Sequence, residues 1–133
     1  LFAVEVRDHI MIAHSFRGAV FGPAQALHGA TFVIDASFIA DTLDANGIVI
    51  DIGRAHDALK ATLKPLNYTN LDSVPEFKGK NTTTEFLTKY IYDKLADAAR
   101  AGELGRDGHE LNAIRITISE SHVARAWYEA PLW

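Results

Sequence analysis

Six histidines and no cysteine occur among the 133 residues. Thiolate nucleophiles, disulfides and cysteine zinc sites are therefore excluded, and chemistry has to come from imidazoles, carboxylates and hydroxyls. His14 lies near the end of one strand-like segment and His28 at the start of the next. Two imidazoles fall short of the three protein ligands usual for catalytic zinc. His9 lies five residues before His14, so on a regular strand it faces the other way and cannot join it. Both histidines read as pocket-lining, hydrogen-bonded side chains, and no metal is expected. Glu120 shares the parity of Ile114, Ile116 and Ile118. An acid closing an apolar row needs a partner or a pocket mouth. Thr83, Thr84 and Glu85 open a helix whose free N–H groups can donate to a ligand carbonyl, although Glu85 also reads as an ordinary helix-start acid. A tyrosine side chain, with an unperturbed pKa near 10, is a weak base at neutral pH; Tyr68 reads first as a core or loop aromatic.

The elements that must position these groups follow from periodicity. Residues 1 to about 16 alternate as a strand, with Phe2, Val4 and Val6 against Ala3, Glu5 and Arg7. Residues 17–26 hold Gly18, Gly22 and Pro23 and read as a loop. Residues 28–40 form the clearest strand, with Phe32, Ile34, Ala36, Phe38 and Ala40 on one face. After a turn at 44–47, Ile48-Val49-Ile50 is expected to extend the ladder. Asp51 caps a helix reaching about Lys64, with Ile52, Ala55, Leu59 and Leu63 inward and Pro65 ending it. A polar loop covers 66–81. Thr82 opens a second helix, and Glu85 three residues on makes a capping box. Its inner face is read as Phe86, Leu87, Tyr90, Ile91, Lys94, Leu95 and Ala98, with Lys94 as an interruption and Gly102 and Gly105 beyond its end. Two more strands follow, through Ile114–Ile118 and over about 123–129.

The order strand–strand–helix–helix–strand–strand implies an α+β architecture: a four-stranded antiparallel sheet with both helices on one face. Such a sheet has two free edges, which oligomers can join. The length fits one domain over residues 1–133. Composition is 48% hydrophobic and 23% charged with a net charge of −4 and no Lys/Arg run, so no nucleic-acid partner is expected. No apolar run reaches the roughly 18–20 residues of a membrane span. The opening residues alternate like a strand rather than forming a signal peptide. The lack of cysteine fits a reducing compartment, and a cytoplasmic location is expected.

Several segments resemble the 6-pyruvoyl-tetrahydropterin synthase and 6-carboxy-tetrahydropterin synthase family, in order and across nearly the whole chain. Ile12-Ala13-His14-Ser15-Phe16 is similar to its zinc-histidine strand. Leu27-His28-Gly29-Ala30-Thr31-Phe32 is similar to its His-Gly-His segment. Pro65-Leu66-Asn67-Tyr68-Thr69-Asn70-Leu71-Asp72 is similar to its Pro-Leu-Asp-His-x-Asn-Leu-Asp. Asn81-Thr82-Thr83-Thr84-Glu85-Phe86 resembles its second helix start, and Ile118-Ser119-Glu120-Ser121 its acidic strand end. The resemblance implies a tunnelling fold whose trimers close the sheets into a barrel and stack in pairs as hexamers, with pockets between subunits. It also implies that Glu120 grips a pterin ring.

The departures from that pattern are specific. Ala30 stands in place of the third zinc histidine, Gly22 lies near the spacing of the family cysteine, and Asn67 and Tyr68 replace its Asp-His pair. Metal, nucleophile, base and orienting acid are changed together. The expectation is a homologue that binds a pterin-like molecule through Glu120, Thr83, Thr84, Glu85, His14, His28 and Tyr68, without zinc and without the parent synthase reaction. A metal-free aldol or tautomerising step on a pterin stays open. So do an active zinc-dependent synthase with a replacement ligand, and a non-catalytic oligomer without a ligand.

Overall fold

Two long alternating strands organise the chain. In the computed structural model, which describes residues 1–133 throughout, β1 (Phe2–His14) and β2 (His28–Ala40) pair antiparallel without interruption from Phe2↔Ala40 to His14↔His28. Further along, β4 (Ala113–Ser119) pairs with β2, and β5 (Arg125–Pro131) with β4, both antiparallel. Between these two halves of the sheet run α1 (Ile52–Leu63) and α2 (Thr84–Arg100), with a two-residue strand, β3 (Thr69–Asn70), lying between the helices in sequence.

The sheet thus has five strands in the order β3-β1-β2-β4-β5, not four. The addition is β3, which runs parallel to β1 opposite Ile12 and Ala13. Its cause is local. The edge backbone of β1 has unpaired groups, and the chain leaving α1 satisfies them: the Asn67 carboxamide oxygen accepts from the Met11 N–H at 3.0 Å, and the Tyr68 N–H donates to the Met11 carbonyl at 2.7 Å. Tyr68 adopts φ 57° to make this turn, the one non-glycine residue with positive φ.

Alternation decides the core. Phe32, Ile34, Ala36, Phe38 and Ala40 of β2 and Ile114, Ile116 and Ile118 of β4 are all buried beneath the helices. The helix α1 is capped as expected, the Asp51 carboxylate accepting from the Arg54 N–H at 3.0 Å, and it buries Ala55, Leu59 and Leu63. Ile52 does not join them. As the first helical residue it lies before α1 meets the sheet and is exposed.

Several boundaries differ from the periodicity. β1 ends at His14 because Ser15 and Phe16 turn away to bond Asp72 and Ala24. Within residues 17–26 two short 3₁₀ turns run over Ala19–Gln25, preceded by Gly18 at φ 131° and separated by a kink at Gly22 at φ 52°, values costly for other residues. Ile48-Val49-Ile50 does not extend the ladder. Asp44 accepts from the Asn46 and Ile48 N–H groups, the chain bends, and Val49 and Ile50 bury themselves on the way into α1. The last strand begins at Arg125, leaving Val123 exposed in the β4–β5 turn.

In α2 the buried stripe is Leu87, Thr88, Ile91, Tyr92, Leu95, Ala96 and Ala99. Phe86, Tyr90 and Ala98, expected inside, lie on the flank, and Lys94, the interruption of that face, is exposed. The rotation is set by tertiary contacts: the Tyr92 hydroxyl donates to the Pro131 carbonyl at 2.6 Å, while Phe86 and Tyr90 pack edge-on against Phe77 from the preceding loop, 5.4 and 4.9 Å between ring centres. The cap also moves. Thr83, not Thr82, is the N-cap, its hydroxyl oxygen accepting from the Phe86 N–H at 3.1 Å, so Glu85 does not close a capping box.

Two measurements check these packing assignments. Urea denaturation should show Thr83→Ala destabilising by about 1 kcal/mol, with Glu85→Ala costing clearly less. Ile116→Ala, which empties a fully buried site facing α2, should cost about 2–5 kcal/mol. An equal loss from Glu85→Ala and Thr83→Ala would restore the capping box.

Candidate functional site

The antiparallel pairing brings the ends of β1 and β4 and the starts of β2 and β5 to one end of the sheet. His14 and His28 are direct cross-strand partners there, with ring centres 4.6 Å apart and planes at 60°. Phe16 packs against both, 4.5 Å from His14 and 5.6 Å from His28, and Phe32 lies 6.0 Å from His14. Phe21, from the 3₁₀ turn, covers Phe16 at 4.7 Å.

Each imidazole is oriented by the main chain. His14 Nδ1 is 3.1 Å from the Thr82 carbonyl and 3.1 Å from the Thr82 hydroxyl. His28 Nδ1 is 2.9 Å from the Ala26 carbonyl. A carbonyl can only accept, so both rings carry their proton on Nδ1 and present a lone pair on Nε2. His14 is buried, and its Nε2 is the one buried side-chain polar atom of the chain with no hydrogen-bond partner. Burial pushes the His14 imidazole below its ordinary 6.5, and the neighbouring His28 pushes it the same way, against a hydrogen bond to Thr82 and the charge of Asp72.

The rim is tied down by side chains that look like turn formers in the sequence. Asp72 accepts from the Ser15 N–H at 3.2 Å and from its hydroxyl. Asn81 accepts from the Arg17 N–H at 2.8 Å and donates to the Arg17 carbonyl at 3.0 Å. Thr82, buried and bonded to His14, joins the start of α2 to the histidine pair. Thr82, Phe16 and Asn81 are site residues that sequence reasoning did not select. The only sequence signal for Thr82 was the run of three threonines, which does not say which one caps the helix and which faces inward.

Of the residues selected, Thr83, Thr84 and Glu85 follow Thr82 directly. The Thr83 hydroxyl is used by the cap, and the Thr84 hydroxyl donates to Glu85 at 3.0 Å. Glu120 sits one residue past β4, in the turn to β5. Its N–H donates to the Ala124 carbonyl at 3.0 Å, and its side chain is exposed. Two positions before it, Ile118 pairs with Ile34, so Glu120 lies beyond the apolar row at the same sheet end as His28. Tyr68 is not brought to the cluster. Its exposed ring lines a depression of about 620 Å³ with Asp8, His9, Lys60, Lys64 and Asn67, between β1 and α1.

Known proteins share this architecture. The family model for 6-pyruvoyl tetrahydropterin synthase matches residues 3–131. The chain belongs to the 6-pyruvoyl tetrahydropterin synthase family. A 6-pyruvoyl tetrahydrobiopterin synthase of Dictyostelium discoideum is 32% identical over 78 residues, a match that spans 57% of this chain and 58% of that relative. The 6-pyruvoyl tetrahydropterin synthase structure of Caenorhabditis elegans superposes with a TM-score of 0.79 at 20% identity, covering 97% of this chain and 95% of that one. That of Plasmodium vivax gives 0.75 at 16% identity, covering 98% and 99%. At these identities the two structures establish the fold. They agree with an α+β unit whose sheet is mostly antiparallel.

The synthase-family resemblance carries zinc with it, and the residues here do not fit that ion. Ala30 follows His28 on the same face and offers no lone pair. No group of three or more His, Cys, Asp or Glu is placed to hold a metal. Asp72, whose charge reaches His14, is already used by Ser15.

The lowered affinity of His14 for protons has a definite sign. The folded chain keeps His14 neutral where the unfolded chain would take up a proton. Its contribution is fully present above about 6.5 and declines as pH falls from there toward the depressed folded value. The folding free energy of the parent chain should therefore fall more steeply between about pH 7.5 and about pH 5 than that of His14→Gln. Parallel pH profiles from urea denaturation would refute the assignment.

Proposed function

We propose that this synthase-family chain binds a pterin-like ring at the histidine end of the sheet and does not run the parent synthase reaction. Support comes first from the paired imidazoles, brought together in an aromatic cluster with no third ligand beside them. The exposed Glu120 carboxylate would accept two parallel hydrogen bonds from the ring's amino and ring N–H groups. The start of α2 at Thr83, Thr84 and Glu85 would meet the ring carbonyl. His14, His28 and Phe16 would line the end that holds the ring's side chain.

The proton-transfer set argues the same way. There is no cysteine, and Asn67 and Tyr68 occupy the Asp-His segment. The Asn67 carboxamide holds the β1 edge rather than any imidazole. Asn cannot accept a proton in a general-base step, so neither orienting acid nor base remains in that segment.

Assembly belongs to the same proposal: trimers that close the sheet into a barrel, stacked in pairs as a hexamer. β1 is paired on its outer side only at Ile12 and Ala13, and β5 on one side only, so each end of the sheet offers an open edge. The sheet face away from the helices carries exposed Met11 and Trp127, with the Arg115 guanidinium 4.4 Å from the Trp127 ring centre. Tyr68, outside the cluster within one chain, would reach a pocket only from a neighbouring copy. No helix is long and apolar enough to cross a membrane.

Calorimetric titration with neopterin, biopterin and a purine tests the reading. The pterins should bind, and Glu120→Ala should weaken them at least about tenfold, since one charge-assisted hydrogen bond contributes about 1.5–3 kcal/mol. Dihydroneopterin triphosphate should not be turned over. Absence of pterin binding by the parent chain, or turnover of that compound, would end the proposal.

A further inference from the structure

The two histidines retain more of a metal centre than their number implies. A metal-ligating imidazole almost always gives its second N–H to a carbonyl, carboxylate or water, which fixes the tautomer and aims the other nitrogen at the ion. Here two separate segments supply that function. The residue before the N-cap of α2 holds His14, through the Thr82 carbonyl, and the residue two before β2 starts holds His28, through the Ala26 carbonyl. Both Nε2 atoms are left with lone pairs. The one on His14 is buried with no donor. Leaving a buried acceptor unpaired costs about 1–3 kcal/mol, and a histidine kept only for packing would ordinarily have both nitrogens satisfied.

The register also defines the missing corner. His14 faces His28, and the next pair on the same side of the sheet is Ile12 and Ala30. Ala30 is half-buried and packs against the edge of the core. An imidazole at position 30 would project on the same face as His28, one cross-strand row along, from a strand already pinned by its full-length pairing with β1.

We propose that the chain retains the orienting shell of a divalent transition-metal centre but not its ligand set, and that the side chain at position 30 alone decides whether an ion is held. The inference rests on the metal-free reading of the site given above. Its test contains no pterin, so failure of ligand binding and failure of this inference are separate results.

The full-length chain and Ala30→His are titrated with Zn²⁺ and with Co²⁺. The parent chain should hold well below one ion per chain. The variant should hold about one, and its Co²⁺ form should show the intense visible absorption of a tetrahedral site. His28→Phe added to that variant should abolish both signals. Nitrogen-15 NMR of the parent histidine side chains supplies a measurement that does not depend on the variant folding: His14 and His28 should both be neutral, with the proton on Nδ1 and Nε2 bare. Stoichiometric zinc in the parent chain, a folded Ala30→His with no gain in metal, or an Nε2-protonated tautomer at either ring would overturn the inference.

Discussion

The unbroken antiparallel ladder between β1 and β2 is the constraint on which the rest of the structure depends. Because side chains alternate with a period of two, the register that sets Phe2 opposite Ala40 also sets His14 opposite His28. A slip of one residue would move Phe32, Ile34, Ala36 and Phe38 to the open face, and the histidines with them. Core and site are therefore specified by the same pairing, and the apolar rows under the helices hold the imidazoles in place. The free energy that fixes the site is mostly that of burying these rows.

A second level of control acts on the imidazoles themselves. Neither ring is held by a carboxylate. Backbone carbonyls from outside the β1–β2 pair choose the tautomer, and surrounding phenyl rings remove water. Neutral histidine is thereby favoured at His14, in agreement with the direction of its proton affinity. The result is an acceptor-bearing histidine pair enclosed by aromatic rings, with His14 tied to the residue before the start of α2. Contrast the open face of the sheet, where Arg7 and Asp35 pair at 2.7 Å and Arg115 and Glu129 at 2.8 Å. Charges there are balanced by one another.

Membership of the synthase family and departure from its site coexist because they depend on different residues. The fold needs the alternating rows, the caps and the edge closure at β3, and the overall architecture tolerates wide sequence change, as the TM-score of 0.79 at 20% identity shows. The chemistry needs a few side chains at set positions. Ala30 and Tyr68 change what the backbone presents; Tyr68 holds a positive φ in a turn tied to Met11 by its own N–H and by the Asn67 carboxamide oxygen.

The sequence by itself determined the element order, the buried rows of β2 and β4 and the Asp51 cap. These are local or periodic properties, readable from spacing. It also determined the missing lone pair at Ala30, a matter of residue type. Only the tertiary structure decided that β3 would complete the edge of β1, because that depends on where the chain leaving α1 passes. The same holds for the rotation of the α2 stripe, set by Tyr92 reaching Pro131 and by Phe77 covering the flank. It holds for Thr82 as well: three adjacent threonines have the same local preferences, and only the approach of His14 separates the one that turns inward from the one that caps. Contacts between residues distant in the chain leave no period to read, which is why these features became visible only once the chain was folded.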